Sequence, residues 1–315
     1  MDGLPQALVL DMSTSDARPH SQTTLKSAID CVGIGVHSGK RIKLTLHPAP
    51  AGHGIVFQRS DLNRSIPARF DHVIDTRLCT VLGDPLDLGV RVGTVEHLMA
   101  ALSGRGIDNA LIEVSGPEIP ILDGSAAPIL FLLDCAGQVE QPEARPVIEI
   151  LRPVRVSEGA AFAELRPARH ARPGLEMEFS IDFTASVIGR QAYGLRLTPA
   201  SFRHELARAR TFAMAEEVEQ LRSMGLALGG SLDNALVVDG SAVLNPGGLR
   251  MPGEFVRHKM LDAVGDLALA GAPIQGRFIG HRSGHSLNNR LLRTLFADSS
   301  AWRFTLASTS IDVAA

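Results

Sequence analysis

The sequence predicts an α+β protein made of two tandem units with similar element order. Three observations carry that expectation. The chain has 315 residues, too many for one ordinary core and enough for two of about 150 residues. Strand-like alternation followed by helical periodicity occurs once in each half. The polar stretch Gln141-Pro142-Glu143-Ala144-Arg145-Pro146 lies between the halves and reads as a linker.

The elements follow in chain order. Residues 1–22 form a polar tail rich in Ser, Thr, Asp and Pro, expected to be disordered. Ile42, Leu44 and Leu46 alternate with Lys43, Thr45 and His47 in a half-buried strand, with His37-Ser38-Gly39-Lys40 as the turn before it. Thr94 is the expected N-cap of a helix in which Val95, Leu98, Met99, Ala101 and Leu102 recur at helical spacing and which Gly104 and Gly106 end. A strand over 107–114 leads to a turn-rich loop with Gly116, Pro117, Pro120, Asp123 and Gly124. A second helix over 127–135 stops at Gly137. The second unit repeats the logic: strands over 147–183, helices near 200–224, a turn at Gly229-Gly230 and a long helix over 254–270.

Composition narrows the function classes. Hydrophobic residues make up 45% and charged residues 21% of the chain, which suits an ordinary globular core. A net charge of -3 gives no general attraction to nucleic acid, so an anionic ligand needs a local group of Lys and Arg. Cys31, Cys79 and Cys135 are few, odd in number and far apart, without a C-x-x-C pair. They predict neither a disulfide framework nor a cysteine metal site, but reduced, mostly buried thiols in the cytosol. The apolar stretch 7–10 is too short for a signal segment. The longest apolar run, 126–133, contains Pro128 and is far short of a membrane span. Membrane contact is expected to be peripheral at most.

Three fragments carry chemistry. On the long helix His258 and Asp262 stand four apart, share one face and can grip one metal ion, and Asp266 continues that face. An ion pair on a solvated helix is the plainer reading of this segment alone, but Met260, Leu261, Val264 and Leu267 bury much of the helix and turn the polar stripe toward a cleft. Glu96-His97 opens an earlier helix. Catalytic zinc keeps three protein ligands and one open position, and a carboxylate beside it can take a proton from attacking water. The H-E-x-x-H helix of metalloproteases is absent. In Gly280-His281-Arg282-Ser283-Gly284-His285, the Gly and Ser residues allow a tight turn and close approach to a ligand. Either His281 or His285 has the composition to protonate a leaving amine, and spacing does not choose between them.

These fragments fall in an order that resembles a known family. Thr94-Val95-Glu96-His97-Leu98, Pro117-Glu118-Ile119-Pro120-Ile121-Leu122-Asp123-Gly124-Ser125-Ala126, Ala209-Arg210-Thr211-Phe212, His258-Lys259-Met260-Leu261-Asp262 and Ser283-Gly284-His285 resemble UDP-3-O-acyl-N-acetylglucosamine deacetylase, from about Gln22 to about Trp302. The resemblance implies two β-α-α-β domains, 23–143 and 144–315, packed as a sandwich with the helices between the sheets and a small insert in each. It implies removal of the N-acetyl group from UDP-3-O-(hydroxyacyl)-N-acetylglucosamine, the committed step of lipid A synthesis, by a cytosolic monomer. Zn²⁺ would sit on His97, His258 and Asp262, with Fe²⁺ also compatible with this ligand set.

The remaining roles also come from the resemblance. Glu96 matches the general base, His285 rather than His281 the acid and charge stabiliser, and Asp266 the residue that orients it. Thr211 matches the hydroxyl that steadies the oxyanion, and Lys259 a substrate contact. Phe183 matches a ring that stacks on uracil. Arg282 stands where a Lys is frequent, which keeps the cation but changes its geometry. The acyl chain would run through an insert at about 212–235, past Phe212, Ala215, Val218, Ala227, Gly230 and Ser231, with Leu78 and Cys79 also against substrate. Residues that simply pack a helix hairpin are the plainer account of that segment. Arg77 departs from the smaller or apolar residue expected near the entrance. Two rival readings stand beside the deacetylase: a non-catalytic nucleotide-sugar binding protein, and a zinc amidase acting on another acylated amine.

Overall fold

The computed structural model describes residues 20–169 and 174–307. Most of the expected tail, residues 1–19, lies outside the described residues. Its last part does not behave as a tail: Ser21–Leu25 is a strand paired antiparallel with Gln138–Ala144. That pairing also corrects the expected linker. Pro142 cannot donate to a ladder, and it falls where the register shifts between Ser21 and Thr23, a bulge that tolerates proline inside a strand.

Among the described residues six α-helices organise the rest: α1 (Glu96–Arg105), α2 (Ala127–Ala136), the single turn α3 (Pro199–Ser201), α4 (Ala215–Ser223), α5 (Glu254–Ala268) and α6 (His285–Ala297). The structure is α+β, with its two largest sheets drawn from the two halves of the chain. In the first, the hairpin Ile29–Ile34/Arg41–Pro48 pairs antiparallel with Ala110–Val114, whose other side takes Ile55–Arg59 in parallel, followed by Arg64–Pro67. In the second, the hairpin Val154–Glu158/Ala161–Arg166 pairs antiparallel with Ile274–His281, whose other side takes Leu175–Asp182 in parallel, followed by Arg190–Arg196. The same five-strand connectivity thus occurs twice. The strand Arg41–Pro48 buries Ile42, Leu44 and Leu46, as its alternation predicts.

Four of these helices, α1, α2, α5 and α6, lie between these sheets. α2 packs on Ile29–Ile34, α5 and α6 pack on the second sheet, and the two pairs meet through α1 and α5. α5 is buried nearly all round, so its apolar residues are not confined to one stripe. It ends at Ala268, two residues before its expected end, and the turn closes at Gly271 with φ +86. A β carbon on Gly265 would stand 2.0 Å from the Glu96 carbonyl oxygen. Only glycine lets α5 approach the first turn of α1 that closely.

Each half also carries an extra three-stranded sheet: Val73–Asp75, Val81–Asp84 and Asp87–Val92 in the first; Phe212–Met214, Leu236–Asp239 and Ala242–Val243 in the second. The second encloses α4, so the segment read as a helix hairpin is strand, helix and strand. Gly229 fixes it to the first half: its amide donates to Val36 O at 3.0 Å, and a β carbon there would meet Gly35 O at 2.3 Å. The expectation of mostly buried thiols also needs correction. Cys79 is buried, Cys31 is half-buried and Cys135 is exposed.

Candidate metal centre and active site

α1 begins at Glu96, not at a Thr94 cap. Thr94 has φ 56, outside the extended range of a capping residue, and its hydroxyl donates to buried Glu118 at 3.2 Å. Glu118 also accepts the amides of His37 and Ser38 at 2.9 and 3.0 Å, which fixes the turn beneath the second insert. The start of α1 instead places the Glu96 carboxylate in the first turn, where the helix dipole favours an anion. His97 follows directly and is buried.

Across the interface, α5 brings His258 and Asp262 to the same point. The ligand atoms of His97, His258 and Asp262 all lie within 4.8 Å of one another. Asp262 Oδ1 stands 3.5 Å from His97 Nε2 and 3.3 Å from His258 Nε2. Donors held about 2.0–2.2 Å from a tetrahedral zinc-sized ion stand about 3.3–3.6 Å apart. Two further observations fit a metal. Asp262 Oδ1 is buried and makes no hydrogen bond, whereas Oδ2 accepts from Lys259 Nζ at 2.8 Å. His258 Nδ1 is 3.0 Å from Ala209 O. A carbonyl only accepts, so Nδ1 carries the proton and Nε2 presents its lone pair to the cluster.

Beside this group lies a carboxylate–imidazole–carboxylate row. His285 is the first residue of α6. Its Nδ1 donates to Asp266 Oδ2 at 2.9 Å and its Nε2 is 3.8 Å from Glu96 Oε1. Burial alone would lower the imidazole, but Asp266 and then Glu96 outweigh it and raise it to about 9. Burial raises the Glu96 carboxyl, against the pull of His285 and His97. Burial opposes the Asp262 carboxylate as well, yet His258 and Lys259 hold it well below the usual range. His258, chiefly through burial, is lowered to about 4. The site thus sets a carboxyl of raised pKa beside a protonated imidazole, a pairing suited to proton transfer.

The other expected residues fall at different distances from this centre. The Phe212 ring lies 6.3 Å from that of His258 and borders the centre, and the Phe183 ring packs on the ring of Phe212 at 5.4 Å, one layer further out. Thr211, one residue before Phe212, is held by its amide to Gly124 O and by its carbonyl to the Leu236 amide, both at 2.8 Å. Ala215 and Val218 are on α4, and Ala227, Gly230 and Ser231 are in the turn after it. Ala227 is buried at φ 52. Leu78 is exposed beside buried Cys79. Arg77 pairs with Asp75 at 2.7 Å with its side chain 87% exposed, so it stays outside the centre. Arg282 is exposed at φ 50 on a groove shared with Asp182, Arg190 and Gln191. The positive φ in this turn falls on Arg282, whereas Gly284 is extended. His281 is not in the row: its Nδ1 is 2.8 Å from Ser180 Oγ on the second sheet.

Several residues of the site carry no sequence signal of their own. Asn288 donates to Asp266 at 2.8 Å, oriented by Ser283, whose hydroxyl donates to Asn288 Oδ1 at 2.7 Å. Arg210 and Glu254 form a buried pair at 2.8 Å next to Thr211. Thr80 contacts both Glu96 and Asp266. A stripe at helical spacing identifies Asp266; nothing local identifies partners nearly two hundred residues away.

Known proteins resemble this chain over most of its length. The family described as UDP-3-O-acyl N-acetylglycosamine deacetylase matches residues 22–297. The UDP-3-O-acyl-N-acetylglucosamine deacetylase of Myxococcus xanthus (strain DK1622) is 50% identical over 290 residues, 91% of this chain and 90% of the relative. Those of Acidithiobacillus ferrooxidans (strain ATCC 53993 / BNL-5-31) and Haemophilus influenzae (strain 86-028NP) are each 50% identical over 287 residues, 90% of this chain and 92% of the relative. With a match across most of its length and half of its aligned residues shared with such relatives, the chain belongs to the UDP-3-O-acyl N-acetylglycosamine deacetylase family.

Proposed function

We propose that the chain hydrolyses the N-acetyl group of UDP-3-O-(hydroxyacyl)-N-acetylglucosamine, releasing acetate and a free amine, with one Zn²⁺ on His97, His258 and Asp262. The reading rests most on one observation: three metal-type donors from α1 and α5 converge beside Glu96 and the His285–Asp266 pair. Zinc, when bound, lowers the pKa of a water toward ~7 and polarises a carbonyl. Fe²⁺ would accept the same donors.

In this reading Glu96 takes the proton from the attacking water as its oxygen bonds to the acetyl carbon. Burial, which raises the Glu96 carboxyl, makes it a better base than an exposed glutamate. The hydroxyl of Thr211 donates to the oxyanion that forms. His285, held protonated by Asp266, gives its proton to the amine nitrogen as the C–N bond breaks. Lys259 keeps Asp262 in place through its ammonium and faces the substrate. Phe183 stacks on the uracil and Arg282 supplies a cation near the nucleotide. Phe212, Ala215, Val218, Ala227, Gly230 and Ser231 line the acyl passage, where each buried methylene contributes about 0.8 kcal/mol. Leu78 and Cys79 border the entrance. Unpaired cysteines support a reducing cytosolic setting for the proposed monomer.

The experiment is to measure zinc in the pure protein and acetate release from the UDP-sugar. Activity with about one zinc per chain is expected. A metal-free, inactive protein that zinc does not rescue overturns the reading. Glu96→Ala is expected to keep its zinc and to lose about 10²-fold or more in kcat; normal turnover in that variant would show that the base is misassigned.

A further inference from the structure

Thr80 lies between the strands Val73–Asp75 and Val81–Asp84 and is 1% exposed. Its amide donates to Glu96 Oε2 at 3.0 Å, and its carbonyl accepts the Val95 amide at 3.4 Å. Its hydroxyl donates to Asp266 Oδ1 at 2.6 Å. One side chain and its own backbone therefore touch carboxylates from two helices. Glu96 is on α1 and Asp266 on α5, where Gly265 already brings the two backbones together. The rest of Asp266 is committed: Oδ2 accepts from His285 Nδ1 at 2.9 Å and from Asn288 Nδ2 at 2.8 Å. Without the Thr80 hydroxyl, Oδ1 keeps only the longer 3.1 Å contact with His285 Nδ1, and the carboxylate gains freedom to rotate away from the imidazole. The β-branch of threonine restricts χ1 and so aims the hydroxyl.

We propose that Thr80 is a positioning residue that couples Glu96 to the Asp266–His285 pair, fixing the separation between the group that takes a proton and the group that gives one. The inference rests on the deacetylase reading above. A bond of this kind acts in the transition state through His285, so it affects kcat more than substrate binding.

The test is a cycle of Thr80→Val and His285→Ala, with Thr80→Ser alongside, read as kcat, KM, zinc content and melting temperature. Thr80→Val keeps the shape and removes the hydroxyl. Its kcat is expected to fall about 10- to 100-fold with KM and zinc nearly unchanged. Thr80→Ser is expected to recover most of the loss. In the His285→Ala background Thr80→Val is expected to cost less than about twofold more, because residues acting as one unit are not additive. Wild-type kcat in Thr80→Val, a full multiplicative loss in the His285→Ala background, or failure of Thr80→Ser to recover activity each overturns the proposal. If Thr80→Val does not fold, Thr80→Ala takes its place in the cycle. If neither folds while Thr80→Ser is fully active, the hydroxyl serves stability and the proposal falls. An inactive wild-type chain counts against the deacetylase reading itself, whereas an active one with an indifferent Thr80 counts against Thr80 alone.

Discussion

His285 sits between two carboxylates and is a full acid at neutral pH because of them. Its imidazole is raised to about 9 from an ordinary 6.5, so its charge interactions stabilise the fold fully below pH 6.5 and that contribution is lost as pH rises through about 9. The same proton is the one proposed for the leaving amine. The alkaline limb of the kcat–pH profile is therefore expected at or below about pH 9, since a bound dication repels imidazolium and lowers its pKa. His285→Ala and Asp266→Ala are each expected to lower kcat by about 10²-fold or more, with His281→Ala near wild type. The reverse ordering of the two histidines, in steady-state assays, would contradict the geometry. Sequence spacing left His281 and His285 level. What separates them in space is that His285 starts α6, facing α5, while His281 ends the strand Ile274–His281. His258 and Asp262 were legible as a pair because residues four apart on a helix share a face, whereas only the resemblance joined His97 to them as one candidate metal site. Thr80 and Asn288 were not, because Thr and Asn are ordinary residues until a distant carboxylate gives their polar atoms a direction.

Elements were read more easily than their ends. The alternation over Arg41–Pro48 and the periodicity of α1, α2 and α5 are local properties, and the structure keeps them. The errors arose where tertiary contacts override local preference: Glu118 draws the Thr94 hydroxyl away from a cap, and a bulge makes Pro142 part of a strand. The approach of α1 to α5 is also invisible locally, since Gly265 reads as a weak point of a helix until Glu96 O is found against it. Gly265→Ala is accordingly expected to destabilise by at least about 1–3 kcal/mol, the cost of overpacking against backbone that cannot yield, despite the better helix propensity of alanine. Unfolding in urea measures it, and a variant as stable as wild type would mean that the helices have slack at this point. The N-terminus of α5 depends on a charge pair. Burial would raise the Glu254 carboxyl, but hydrogen bonds from Arg210 and from the Arg250 and Arg210 amides hold it below 4.5. This depressed carboxylate stabilises the fold above pH 4.5, and the contribution is lost as pH falls through the lowered value. Glu254→Gln is expected to be less stable than wild type near pH 7 and to approach it as pH falls, in melting curves across pH 3–7; a gap that does not change with pH would assign the loss to packing.

At the scale of the molecule, the candidate metal donors are divided between the halves. His97 comes from α1, which precedes the central strand of the first sheet, and His258 and Asp262 from α5, which precedes the corresponding strand of the second. The site therefore exists only when the two sheets and their helices are docked. An unfolded chain separates these donors, so an ion held by all three would add its binding energy to the stability of the docked state. At a free ion concentration one hundred times Kd, that addition is about 2.7 kcal/mol, several degrees in melting temperature for a protein of this size. Chelation followed by zinc titration is expected to lower and then restore the melting temperature, with a dependence on free zinc that continues past saturation of the native site. Removing Asp262 Oδ1 from this role by Asp262→Ala, or the first half's contribution by His97→Ala, is expected to abolish the zinc-dependent rise equally, although the two residues lie on different helices. A rise that survives in His97→Ala but not in Asp262→Ala would place the ion on α5 alone and leave the docking of the halves to the apolar contact between α1 and α5.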